Sequence, residues 1–144
     1  MDNAYESHIG LADEQLSIIF KSYSVSPDNR NNHIHWHEGV ELLFITSGSG
    51  YVLCDAQKIP LKCGDIAIIS SECLHKAASD TEIMTYEYLI LEPPLFELLD
   101  LTPQNLAFEP TVTVPDNMWS ILNALSALKN SPRSFGWIVQ KGLL

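Results

Sequence analysis

Basic residues are scarce in this chain. Of its 144 residues only 8 are Lys or Arg, against 18 Asp or Glu, giving a formal charge of −10 at neutral pH. No run of basic side chains occurs, and a polyanion needs clustered Lys and Arg to neutralise its phosphates. By itself the chain is expected not to bind DNA. Long apolar runs are lacking too, since nothing approaches the roughly 20 residues of a membrane span. The opening residues MDNAYESHIGLADEQ are polar and acidic, unlike the basic start and apolar core of a secretion signal. Only three cysteines occur, Cys54, Cys63 and Cys73, and none forms a Cys-x-x-Cys pair. Read as free, buried or half-buried thiols, they suit a reducing compartment, and a cytoplasmic location is expected. Internal repeats and low-complexity tracts are not evident.

What is present fits one compact module. Hydrophobic residues make up 46% of the chain, and at this length about two-thirds of the unfolded surface can be buried. Short apolar or alternating runs at 16–25, 34–46, 51–56, 58–62, 66–69, 74–78 and 83–91 read as strands. Ser26-Pro27-Asp28-Asn29, Ser47-Gly48-Ser49-Gly50, Cys63-Gly64-Asp65 and Ser79-Asp80-Thr81 separate them as turns. Such a series predicts a sandwich or barrel, and a closed barrel leaves no strand edges while its inward positions line a cavity. After Glu92-Pro93-Pro94 the character changes. Residues 95–101 read as a helical turn or two, and 108–114 as one more strand. Asp116 is placed to cap a helix in which Met118, Ile121, Leu122, Leu125 and Leu128 recur at helical spacing. Asn130-Ser131-Pro132 ends it, and Phe135, Ile138 and Val139 continue a second apolar face. Lys129, Arg133 and Lys141 are too dispersed for this pair to be a DNA-reading helix-turn-helix. Ending on Leu143-Leu144, the second helix reads as cut, so the chain is expected to be part of a longer protein.

The densest chemistry lies in His33–Gly48, HIHWHEGVELLFITSG. His35, His37 and Glu41 stand two and four apart, so an extended run turns all three to one face. Two imidazoles and a carboxylate make a first shell for a divalent metal or a polar ligand. His75 follows the Gly64-Asp65 turn and the apolar run 66–69. A buried polar cluster of this kind requires a metal, waters or a ligand to satisfy it. His8 reads as a hydrogen-bonded residue on a mobile N-terminal segment, and His33 as a residue at the mouth of the barrel. Trp36 and Phe44 have the opposite parity and are expected on the other side of the strand. Tyr51, Tyr86 and Tyr88 are candidates for pocket walls or core.

These residues resemble the cupin signature. His35, His37, Glu41 and Gly48 match its first motif, and Gly64 and His75 stand at the spacing of its second. Asn29 replaces the Gly that opens the first motif, and Ser70, Glu72 and Ser79 replace the Pro, Gly and Asn of the second. Those departures weaken a metalloenzyme more than they weaken the fold. The resemblance implies a mostly β chain: a cupin-like β-barrel (double-stranded β-helix, or jelly roll) over 1–115, followed by two α-helices in 116–144. With the helical tail, HWHEGVELLFITSGSG and LKCGDIAIISSECLH resemble the N-terminal effector-binding domain of an AraC-type transcription regulator. That resemblance implies a small-molecule effector held by His35, His37, Glu41 and His75, with Tyr51, Tyr86 and Tyr88 as candidate walls. It implies a homodimer through 116–144, and DNA bound only by a domain outside this chain. The same four residues could hold zinc, nickel, iron or manganese. The alternative is a small metal-dependent cupin enzyme of oxygenase or isomerase type, whereas the sensor reading predicts no catalysis.

Overall fold

A computed structural model describes residues 4–8, 18–28, 32–113 and 115–128 of the chain. The chain divides into two compact units, Met1–Thr113 and Val114–Leu144. Eight strands follow in order: β1 (Ile18–Val25), β2 (Val40–Ser47), β3 (Ser49–Cys54), β4 (Gln57–Lys62), β5 (Asp65–Ile69), β6 (His75–Ala78), β7 (Met84–Leu91) and β8 (Thr111–Thr113). A short helix, α1 (Pro93–Glu97), and a 3-10 turn, Pro103–Asn105, lie between β7 and β8. The second unit holds α2 (Asp116–Leu128). The expected second helix, with Phe135, Ile138 and Val139, lies outside the described residues.

The strands form two sheets. One has five strands in the order β1-β7-β2-β5-β8, and the other three in the order β4-β3-β6. Every named ladder is antiparallel. Alternation decides what each strand buries: Leu43 and Ile45 of β2, Val52 of β3, Ala77 of β6, and Met84 and Tyr86 of β7 share one core. Val25, Leu61, Ala67 and Ile69 complete its apolar filling. Gly48 turns the chain from β2 into β3, and so from one sheet to the other. Its φ of +70° suits glycine, and a Cβ there would collide with the Ile83 carbonyl oxygen.

Three expectations are corrected here. The run 34–46 is not one strand. Residues 35 and 36 form isolated bridges, a bend follows at Glu38 and Gly39, and β2 begins at Val40. Gly39 allows that bend to press inward, because a Cβ there would lie 2.6 Å from Ile90 Cγ2 and 2.9 Å from the Leu91 oxygen. The bend also explains why the sheets do not close into a continuous barrel. Before it, His35 exchanges backbone hydrogen bonds of 3.0 and 2.8 Å with His75 at the edge of β6; after it, the chain pairs with β5 and β7 instead. The result is a two-sheet jelly roll with edges. The cysteines are not three free thiols either: Cys54 and Cys73 are joined, and Cys63 alone is free. Cys54 and Cys73 are 19 residues apart but lie together because Cys54 faces His75 across the β3–β6 ladder.

Within α2, Leu122 is buried and Met118 and Ile121 are half-buried, while Asn117, Ser120 and Asn123 are exposed. That is the amphipathic pattern expected from the spacing. Its first turn is opened by the Met118 N–H, which donates to the Pro115 carbonyl at 2.9 Å.

Candidate metal and ligand centre

The four residues singled out by spacing come together in space. One donor atom from each of His35, His37, Glu41 and His75 lies within 4.8 Å of all the others. Three elements deliver them: the 35–37 segment before the bend, β2 just after it, and the start of β6. His37, Glu41 and His75 are buried, at 2%, 7% and 2% exposure, and His35 sits at the rim.

The imidazoles are oriented in one way. His35 Nδ1 is 3.0 Å from the His33 carbonyl, His37 Nδ1 is 3.1 Å from the Gly39 carbonyl, and His75 Nδ1 is 2.9 Å from the Cys73 carbonyl. A carbonyl only accepts, so each Nδ1 carries the proton and each Nε2 of a neutral ring presents a lone pair. Those lone pairs meet a carboxylate. Glu41 Oε2 is 3.2 Å from His37 Nε2 and 2.9 Å from His75 Nε2. His75 Nε2 is buried, and despite that closeness it has no hydrogen-bond partner of suitable direction among the described residues. Acceptors facing acceptors repel unless protons or a cation lie between them.

Electrostatics report the same conflict. Burial opposes charge on Glu41, yet the hydrogen bond from His37 and the close approach of both imidazoles outweigh it and hold its carboxyl down at about 2. Burial likewise opposes charge on His75, and the Glu41 carboxylate overrides it, raising the imidazole above its ordinary value. For His35 burial wins, helped by repulsion from His75, and its affinity for a proton falls. Protons or a cation shared between Glu41 and the imidazoles offset this conflict.

The residues fit a divalent ion. Donors at about 2.1 Å from a common ion and at right angles are about 3.0 Å apart, close to the separations Glu41 makes with His37 and His75. The unpartnered His75 nitrogen and the three Nδ1–H groups fixed by carbonyls are the arrangement that ligating histidines require. Three imidazole nitrogens and one carboxylate oxygen suit zinc, nickel, iron or manganese.

The aromatic candidates divide. Tyr86 is buried in the core and Tyr88 packs against that core. Burial raises both phenols, and the charge of Glu41 raises them further, so both lie within its field. Tyr51 is not brought to the centre. Its neighbour Val52 faces the core, whereas Tyr51 lies beneath the Lys58 ammonium, 3.8 Å from the ring centroid. Trp36 and Phe44 lie off the site face as their parity predicts. Trp36 packs on Tyr5, and Phe44 is buried outside the core cluster that holds Leu43 and Ile45. His33 is exposed, and its carbonyl orients His35.

The sequence reading gave Glu6 no role and His8 none beyond a hydrogen bond. His8 is the hydrogen-bonded residue expected: its side chain is only 7% exposed, its Nδ1 is 2.5 Å from Glu92 Oε1, and its ring lies 4.8 Å from that of His37. Glu6 Oε2 lies 3.1 Å from His35 Nε2. The i, i+2 parity of Glu6 and His8, the same as that of His35 and His37, was the available signal. No apolar alternation around them marked the segment as a strand.

A family model described as the AraC-like ligand binding domain matches residues 23–134. A search of curated protein sequences finds no significant match. Among solved structures, the plu4264 protein from Photorhabdus luminescens is 17% identical with a TM-score of 0.50, over 58% of this chain and 71% of that one. A Cupin 2 conserved barrel domain protein from Salinispora arenicola is 15% identical with a TM-score of 0.48, over 58% and 71%. A predicted oxalate decarboxylase from Thermotoga maritima is 19% identical with a TM-score of 0.45, over 51% of this chain and 65% of that one. At these identities the structural likenesses bear on nothing beyond the fold. With the family match extending over well more than half of its length, the chain belongs to the AraC-like ligand binding domain family.

Proposed function

We propose that this chain is the effector-sensing and dimerisation part of an AraC-type transcription regulator, and that it senses a small polar molecule at a metal centre built by His35, His37, Glu41 and His75. One observation carries the metal part of this reading. Three imidazole lone pairs, each fixed by a backbone carbonyl on the opposite nitrogen, converge with a buried carboxylate. When bound, a divalent ion supplies a Lewis-acidic point that can hold an oxygen of the effector. The protein's own residues do the rest. His37 and His75 keep a fixed tautomer and Glu41 balances charge, while Tyr88 and Tyr86 stand across the ladder from Leu43 and Ile45, within the field of Glu41. Leu43, Ile45 and Met84 fill the opposite end, so the effector belongs at the polar end.

Dimerisation is assigned to residues 116–144, on the amphipathic pattern of α2 and the family's use of such helices. DNA contact is assigned to sequence outside this chain, because its charge of −10 opposes phosphate binding. The intact four-donor set also suits a second reading, a cupin metalloenzyme. Both predict bound metal, and they differ in whether the ligand is turned over.

Elemental analysis of the purified chain and titration with Zn²⁺, Ni²⁺, Mn²⁺ and Fe²⁺ test the centre. One metal ion per chain is expected, with His75→Ala losing about 100-fold in affinity or more while remaining folded. Wild-type protein that binds none of the four ions overturns the metal reading. Any co-purifying small molecule, identified by mass spectrometry, is then incubated with the metal-loaded protein. Recovery unchanged supports a sensor, and a product establishes an enzyme. Sedimentation across micromolar concentrations tests the dimer, and a single monomeric species removes that part of the proposal.

A further inference from the structure

We propose that Glu6 is a fifth donor to the metal centre, so that occupancy of the centre and docking of residues 4–8 are one coupled event. This rests on the metal reading above and extends it to a residue outside the jelly roll's own ligand set.

The placement of Glu6 is built by the backbone. Residues 4–8 run parallel to the 35–37 segment. The Trp36 N–H donates to the Ala4 carbonyl at 2.9 Å, and the Glu6 N–H donates to the Trp36 carbonyl at 2.9 Å. Alternation then sorts the side chains. Tyr5 falls on the Trp36 side, with the ring centroids 4.8 Å apart. Glu6 and His8 fall on the other side, against His35 and His37. Beyond Glu6 the segment is fastened by His8, whose Nδ1 meets Glu92 next to α1.

Chemistry gives that placement a consequence. Glu6 Oε2 lies 3.1 Å from His35 Nε2, the atom left as a lone pair once Nδ1 is committed to the His33 carbonyl. Carboxylate and lone pair oppose each other here as they do at Glu41, and the same cation relieves both contacts. A separation of 3.1 Å again matches neighbouring donors around an ion at about 2.1 Å. Glu6 stands one step outside the tight set of four, and its half-exposed carboxylate has the freedom to close that step. Five donors leave one position open in an octahedral shell, whereas zinc is satisfied with four. Glu6 therefore matters more to nickel or manganese than to zinc.

The competing account is a surface ion pair that contributes little. Two measurements on the full chain separate the accounts: affinity for Ni²⁺ and Zn²⁺ in wild type and Glu6→Gln, and amide exchange of residues 4–8 with and without Ni²⁺. Coordination predicts that Ni²⁺ slows exchange in this segment of wild type, and that Glu6→Gln abolishes the slowing. It also predicts that Glu6→Gln binds Ni²⁺ about tenfold more weakly, with a smaller loss for Zn²⁺. Wild-type affinity in Glu6→Gln, or exchange insensitive to metal, overturns this proposal and leaves the four-donor centre standing. Absence of any binding by wild type overturns the metal reading and this proposal together. Glu6→Asp, which keeps the charge and shortens the reach, is expected to recover part of the affinity; an ion pair alone would show no metal-dependent recovery.

Discussion

The two ends of the interior are built from the same strands and obey opposite physics. Along β2 the inward positions pass from Glu41 to Leu43 and Ile45, and along β6 from His75 to Ala77. At the apolar end burial is favourable in itself, about 1.5–3 kcal/mol for each large side chain. At the polar end burial is a cost, met by carbonyls holding each Nδ1 and by protons or a cation shared between Glu41 and its histidines. One end is thus expected to hold the fold and the other to await a ligand. Alternation along a strand gives both ends the same geometry, and only residue type distinguishes them.

The sharpest way to break the comparison is to cut each end separately. Ile45→Ala removes a fully buried side chain and should cost about 2–5 kcal/mol of stability in denaturant unfolding. Its metal affinity, measured on the folded protein, should stay at the wild-type level. His75→Ala should do the reverse, losing metal with a much smaller change in unfolding. Equal losses of both properties in both variants would show that the ends are not separable.

Much of that division was legible in the sequence. Parity placed His35 and His37 on one face and Trp36 on the other, but Glu41 reaches them across the bend at Glu38 and Gly39 rather than along one extended run. The Gly64-to-His75 spacing brought in the fourth donor. Less legible was anything decided by contacts distant in sequence. The bend at Glu38 and Gly39 follows from the approach of Ile90 and Leu91, which no local pattern reveals. The Cys54–Cys73 pairing depends on the β3–β6 register. Glu6 and His8 lie in a polar segment whose partners are 29 and 84 residues away, at His35 and Glu92. Tyr51, Tyr86 and Tyr88 could not be sorted by type, since all three are tyrosines in strands and only the pairing of those strands sets their faces.

The covalent link sits beside the polar end. Cys73 supplies the carbonyl that fixes His75, and the Cys54–Cys73 bond closes a segment of 19 residues. Replacing both cysteines by serine should cost about 3 kcal/mol through freedom regained by the unfolded chain. It should also weaken metal binding severalfold through looser positioning of His75. Unfolding with and without reductant reads the first effect, and titration reads the second. Unaltered stability in the double variant would mean that the link constrains nothing the strands do not already fix.

Acidity sharpens the comparison, because only one end titrates. Glu41 is held at about 2 against an ordinary 4.5, so its contribution is complete above 4.5 and is lost as pH falls toward 2. The shift corresponds to about 3 kcal/mol. His75 is raised above its ordinary 6.5, so its contribution is complete below 6.5 and is lost as pH rises through the folded value. In metal-free protein Glu41 and His75 together favour the window between 4.5 and 6.5, while His35, lowered by burial, offsets part of that gain below 6.5. Glu41→Gln should flatten the acid limb, while Ile45→Ala should lower the whole curve without changing its shape. An acid limb unchanged in Glu41→Gln would remove Glu41 from the account.

The smallest effect is expected outside the interior altogether. Lys58 Nζ and Asp80 Oδ2 are 2.7 Å apart, and the ammonium also lies over the Tyr51 ring. The hydrogen bond between them raises the lysine and lowers the aspartate, although both side chains are exposed to solvent. Water and salt screen such a pair, and ordering two mobile side chains offsets what attraction remains. Asp80→Asn should leave the melting temperature within experimental error and the metal affinity untouched. A clear loss of metal affinity in this variant would mean that Tyr51 communicates with the centre from the outer face of β3. That result would reinstate Tyr51 among the functional residues and blur the division between the polar end and the surface around it.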